Sequence, residues 1–295
     1  MLNLAENVLK QSAVPWTSVP PELRPQQQVE WSRINRRGSA ATTFLEGPVL
    51  APDGTLYCVD IPNGRILRVD PTGHWEVACA YDGWPNGMAM APDGRMLVAD
   101  ARRGLVRLDL RTGGVEMLLT HAVTQGFLGI NDLQLTADGA VWFTDQGQTG
   151  LHDPAGRVYR WQGGELRCIL DRLPSPNGLR VSADGGELFV AVTRDNAVWR
   201  APLTASGQPT RLGRFASFYG PVGPDGIHID AAGRLWVCLP GADAVWVLNR
   251  KAEAIARYHF PDGAFPSNIA MDAAGQRIVV TCSGAEALFT LPALA

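Results

Sequence analysis

Glu46–Asp60 reads EGPVLAPDGTLYCVD, and the same phrase returns along the chain. Its copies are NGMAMAPDGRMLVAD from Asn86, NDLQLTADGAVWFTD from Asn131, NGLRVSADGGELFVA from Asn177, DGIHIDAAGRLWVCL from Asp225 and NIAMDAAGQRIVVTC from Asn268, with starts 40 to 48 residues apart. Each copy holds a short alternating apolar run, a D-G, A-G or G-G turn, and a second apolar run. That order reads as strand, hairpin turn, strand. Further runs follow, such as RILRVD and WEVACA in the first repeat. About four strands in about 40–48 residues is the period of a propeller blade, not of a helical solenoid. A sandwich or barrel would also be all-β, but neither repeats one phrase six times.

The expected fold is therefore an all-β, six-bladed β-propeller of four-stranded antiparallel blades spanning residues 29–295. The proline-rich, unrepeated residues 1–28 read as an N-terminal extension. VEWSRI, Val29–Ile34, is expected to be a strand that closes the ring against the last blade, beside EALFTLPAL, Glu286–Leu294. Closure removes the sheet edge that an open ring would expose.

Composition narrows the function. Charged residues are 19% of the 295 and the net charge is −3, so there is no basic stripe for nucleic acid and no polybasic run for a membrane. The 32 glycines and 21 prolines fit a turn-rich chain. Five dispersed cysteines (Cys58, Cys79, Cys168, Cys238 and Cys282) form no CxxC pair and read as reduced, buried thiols of a cytoplasmic protein. No apolar run approaches the roughly 20 residues of a bilayer span, and the N-terminus lacks the pattern of a secretory signal. His121, His152 and His228 have no useful pair spacing and read as structural.

The opening position of each copy carries an oxygen-bearing side chain: Glu46, Asn86, Asn131, Asn177, Asp225 and Asn268. The first strand of each propeller blade lines the central channel, so these six are expected to form a ring at one mouth. Three readings fit such a ring. The side chains cap turns, as Asn and Asp often do; they hold channel water; or they bind a metal. Oxygen donors without His or Cys favour a hard cation, Ca²⁺ first, then Mg²⁺ or Mn²⁺, with Zn²⁺ also possible.

At these residues the chain resembles the regucalcin (senescence marker protein), gluconolactonase and luciferin-regenerating-enzyme family. The resemblance rests on LEGPVLAPDGTLYCVDIPNGRILRVD from Leu45, INDLQLTADGAVWFTD from Ile130, SPNGLRVSADGGELFVA from Ser175 and GPDGIHIDAAGRLWVC from Gly223. It implies a six-bladed propeller with one divalent metal in the channel, and a hydrolase of sugar lactones. It also implies Glu46, Asn177 and Asp225 as metal ligands, Asn131 beside the metal as ligand or substrate contact, and Asp225 as general base. Two departures touch the substrate rim. Gly129 stands where animal regucalcin-like members carry an arginine, and QGQTGLHDPAG follows Asp145 where many members have P-x-Y-G.

The expected activity is metal-dependent opening of a small, sugar-derived lactone. Lactone hydrolysis needs polarisation of the carbonyl, an activated water and stabilisation of the tetrahedral oxyanion. Asp225 would act as base toward water, as nucleophile, or only as ligand. Asn86, Asn131, Trp84, Phe127 and Arg102 are expected to contact substrate. The alternatives are a phosphotriesterase or aryl esterase on the same site, and a non-catalytic propeller that binds partners. The expected partner is the small-molecule lactone alone, with the protein a monomer or small homo-oligomer.

Overall fold

A computed structural model describes residues 3–25, 29–35 and 42–294. Six sheets are arranged as the blades of a β-propeller. The first four blades each take four consecutive strands: Leu45–Ala80, Pro85–Leu119, Ile130–Leu173 and Pro176–Ser217 bound them. The fifth blade runs from Ile227 to His259 and the sixth from Pro266 to Leu291.

Repeated turns explain the repeated phrase. In the first copy Gly54 N–H donates to Ala51 O (2.9 Å) and Ala51 N–H to Thr55 O (2.8 Å), with Gly54 at φ +85°. That left-handed residue closes a tight hairpin and suits glycine, which has no Cβ to clash. Asp53 Oδ1 accepts the Thr55 N–H at 2.9 Å, so the D-G pair supplies both the acceptor and the turn. Between the blades, clusters of side chains such as Val190, Leu188, Leu179 and Trp142 exclude water and fuse neighbouring sheets.

The ring closes differently from the expectation. Val14–Ser18 is the outer strand of the sixth blade, antiparallel to Ala287–Leu291. Asn3–Ser12 adds a fifth, parallel strand to the fifth blade by pairing with Glu253–His259. The segment read as an extension thus belongs to the sheets, although residues 1–2 and 26–28 lie outside the described residues. Val29–Ile34 is not the closing strand. Glu30–Asn35 is a short α-helix, because the sixth blade's edge is already occupied by Val14–Ser18.

All five cysteines are free thiols. Cys58, Cys79, Cys238 and Cys282 are buried as expected, whereas Cys168 is exposed on the outer strand of the third blade.

Candidate active site at the channel mouth

The innermost strands share one irregularity. In the third blade Ile130 pairs with Asp145 but Leu133 with Phe143, so three steps on one strand match two on the other. The same bulge falls between Glu46 and Val49, Pro85 and Met88, and Pro176 and Leu179. A bulge re-aims side chains, so two consecutive residues can turn toward the channel instead of alternating. Asn131 and Asp132 show this: Asn131 lines the mouth cavity, and Asp132 sits deeper in the channel against Gly87 and Arg180.

Pairing also corrects the sixth repeat. Pro266 pairs with Cys282 as Pro176 pairs with Val192, which places Ser267, not Asn268, in register with Glu46 and Asn177. Ser267 is fully buried, donating to Leu45 O at 2.8 Å. Asn268 takes the register of Asp132. Both donate their N–H to a threonine hydroxyl on the next strand, Thr281 or Thr144, and both accept the following N–H on their own Oδ1. The remaining four blades carry glycine at this level, and for good reason. A Cβ on Gly87 would lie 2.3 Å from Asp132 Oδ1, and one on Gly226 would lie 2.2 Å from Asn268 Oδ1.

A cavity of about 350 Å³ opens above this layer. Glu46, Asn86, Asn131, Asn177 and Asp225 all line it, from five different blades. Glu46, Asn131 and Asn177 are buried to 9% exposure or less, and Asp225 is half-buried. Glu46 Oε2 accepts the Gly47 N–H at 2.6 Å and Asn268 Nδ2–H at 2.8 Å. Asn131 Nδ2 donates to Gln146 Oε1 at 3.1 Å. The Asn177 side chain faces Asp225 and favours its ionised form.

The carboxylates resist ionisation where they stand. Burial pushes Glu46 up to about 7, with Asp132 adding repulsion, while the Gly47 N–H, Asn268 and Arg180 pull it back. Burial raises Asp225 well above the ordinary range, and the charges of Glu46 and Asp132 raise it further. Asp132 is raised by burial but partly offset by Arg180, whose NH1 reaches its Oδ2 at 3.3 Å. On the far side of that ion pair lies a second channel mouth, lined by Arg180 and His228. His228 is pushed down to about 3 by burial and by Arg180, so it is a neutral group remote from the first cavity.

This charge inventory fits a divalent cation. Glu46, Asp132 and Asp225 against Arg180 leave two uncompensated negative charges when ionised, which one dication balances. Two carboxylates and two amide oxygens around one cavity are hard donors suited to Ca²⁺ or Mg²⁺. Among the described residues no three of His, Cys, Asp and Glu form a ligating group, so the amides are essential to this donor set.

The remaining expected substrate contacts divide. Trp84 lines the cavity. Phe127 does not: its ring packs on Phe143 (5.5 Å) and Tyr159 (5.6 Å) between strands, where aromatic burial is favoured. Arg102 is a strut outside the cavity, bonded to Asp82 Oδ1 at 3.1 Å and lying over the Trp84 ring at 5.3 Å.

Several residues escaped the sequence reading. Gln146 and Gln148, from the divergent segment after Asp145, line the cavity. Trp31, Ile34 and Asn35 of the short helix line it as well. Asp60, Asp100 and Asp145, each ending a second strand, are fully buried and fasten loops at the rim. Asp60 Oδ1 accepts the Phe44 N–H at 3.0 Å, Asp145 Oδ1 the Gly129 N–H at 2.9 Å, and Asp100 Oδ1 the Arg102 N–H at 2.8 Å. The recurring VD, AD and TD endings were the available signal.

Residues 44–284 match the SMP-30/Gluconolactonase/LRE-like region, and the chain belongs to that family. A gluconolactonase of Zymomonas mobilis is 29% identical over 274 residues, covering 81% of this chain and 76% of that one. A solved gluconolactonase of Xanthomonas campestris superposes with a TM-score of 0.76 at 27% identity, over 96% of this chain and 97% of its own. A calcium-binding protein, regucalcin, from Agrobacterium tumefaciens shares the fold, with a TM-score of 0.75 at 22% identity over 98% and 96% of the two chains.

Proposed function

We propose that the chain is a divalent-metal-dependent hydrolase of small, sugar-derived lactones. The observation that carries this reading is the convergence of Glu46, Asn131, Asn177 and Asp225 on the floor of one cavity. Family membership and the gluconolactonases among its relatives support the reaction class.

Glu46, Asn131, Asn177 and Asp225 would hold the cation. When bound, it supplies Lewis acidity toward the lactone carbonyl and compensates the oxyanion's developing charge. Glu46 is fixed for this by two donors on one oxygen, Gly47 N–H and Asn268 Nδ2–H. Asn131 commits its Nδ2–H to Gln146, which leaves Oδ1 as the free acceptor. Asp225 takes the proton of the attacking water as general base, with Asn177 beside it favouring the ionised form. Asn86 and Trp84 complete the wall on the second blade and contact the substrate.

The test is a hydrolysis screen over γ- and δ-lactones and aryl esters with EDTA and metal add-back. Failure to open any lactone with Ca²⁺, Mg²⁺, Mn²⁺ or Zn²⁺ present would sink the proposal. Esterase activity on aryl substrates is the second reading, favoured by the Trp31, Phe44 and Trp84 rings around the cavity. A partner-binding propeller has no use for buried, mutually repelling carboxylates, which destabilise it unless compensated.

A further inference from the structure

The helix Glu30–Asn35 lies outside the 44–284 stretch that matches the family, yet it supplies part of the cavity wall. Six residues make too short a helix to hold itself together, so tertiary contacts must fix it. Three are visible. The Trp31 ring packs on Phe44 at 5.2 Å, Glu30 Oε2 stands 3.9 Å from Arg102 NH1, and Gln148 Nε2 donates to Asn35 Oδ1 at 3.0 Å. The last contact joins the helix to the third blade, between two residues that both line the cavity.

The cavity is consequently two-sided. Trp31, Phe44 and Trp84 form an apolar cluster on the side of the first two blades. Carboxamides of Asn35, Gln146 and Gln148 gather on the side of the third. An aromatic wall opposite amide donors and acceptors matches a saturated ring with an apolar C–H face and hydroxyls along its edge.

We propose that Glu30–Asn35 is a specificity cap, in which Trp31 takes the apolar face of a polyhydroxylated ring and the Asn35–Gln148 pair takes its edge hydroxyls. The cap discriminates between such rings and minimal lactones too small to reach it. The proposal deepens the lactonase reading and rests on it for the bond broken, but not for the ring bound.

Kinetics of W31A and of N35A/Q148A on glucono-δ-lactone and on γ-butyrolactone test the cap. Loss of wall contacts or edge hydrogen bonds should raise KM for the hydroxylated ring by about tenfold, leave kcat within about threefold, and leave kcat/KM for γ-butyrolactone within about twofold. W31F should restore most of the loss. Equal losses on both substrates, or none on either, would overturn the cap. Binding of 1,5-anhydroglucitol, a pyranose ring with no ester bond, read by ligand-detected NMR, separates the two proposals. A wild-type protein that binds this ring through Trp31 but opens no lactone refutes the hydrolase reading and keeps the cap. A wild-type protein that does not bind it, or a W31A variant that binds equally, refutes the cap.

Discussion

Asn268 donates its Nδ2–H to Glu46 Oε2 at 2.8 Å, joining the sixth blade to the first from one step deeper than the ring of cavity residues. This bond crosses the place where the propeller is closed. It depends on Gly226, whose missing side chain makes room for the Asn268 amide. G226A would push Asn268 off Glu46 and should cost on the order of 3 kcal/mol in urea unfolding, with weakened metal binding. Unchanged stability and metal affinity would show that Asn268 yields freely and does not fix Glu46.

Glu46 ionises at a cost in the metal-free protein, and the sign of that cost is testable. Its folded pKa of about 7 exceeds the ordinary 4.5, so the folded state binds more protons between those values and stability falls as pH rises through them. E46Q should therefore be more stable than wild type in EDTA at pH 8 and lose that advantage near pH 4. With calcium added the order should reverse, and calorimetry should show metal affinity reduced at least about tenfold, as loss of a charged ligand requires.

For Asp225 the expected outcome is a separation of binding from chemistry. D225N removes a charged ligand, so metal affinity should fall by about tenfold as in E46Q, but at saturating metal the loss of the general base should still reduce kcat by about 10³-fold. Substantial turnover in D225N would remove Asp225 from the proton-transfer role.

Arg180 is the one cation in the inner channel among the described residues, and Asp132 is its partner. R180M leaves a buried carboxylate without compensation and should cost about 3–5 kcal/mol in the metal-free protein. D132N in the same background should recover part of that loss, giving a coupling energy of about 1–3 kcal/mol. Strict additivity of the two substitutions would mean that the pair does not interact.

Asp145 offers a pH signature away from the metal donors. Burial lifts it to about 6 from 3.8, and its Oδ2 has no hydrogen-bond partner. The raised pKa means that wild type loses stability as pH climbs from about 4 to about 6. The stability of D145N relative to wild type should grow over that interval by on the order of 2 kcal/mol, measured by denaturant unfolding at each pH. A flat difference curve would show that Asp145 is not desolvated as described.

The blades were legible because the first hairpin turn of each is written locally, in an Asp-Gly or Ala-Gly pair whose glycine adopts positive φ. Glu46, Asn131, Asn177 and Asp225 were legible as a converging set for the same reason, since equal positions in a propeller repeat share one level. Asn268 imitates the pattern one step beyond the ring position, which Ser267 holds, and only the strand pairing reveals the slip. The helix Glu30–Asn35 carries no repeat signal, and its six residues are ordered by contacts with distant segments, so local sequence could not announce it. Phe127 and Arg102 do not line the cavity, because nearness to the rim along the chain does not decide which way a side chain points.

Val14 lies 276 residues from its partner Thr290 in the sixth blade. During synthesis the first-made strand of that blade must therefore wait, unpaired, until the last-made ones emerge from the ribosome. Five blades can mature as they appear, but the ring itself closes only after Ala287–Leu291 has been made. Until it happens, Asn268 cannot reach Glu46, so the site at the channel mouth acquires its full shape only after the sixth blade has been made.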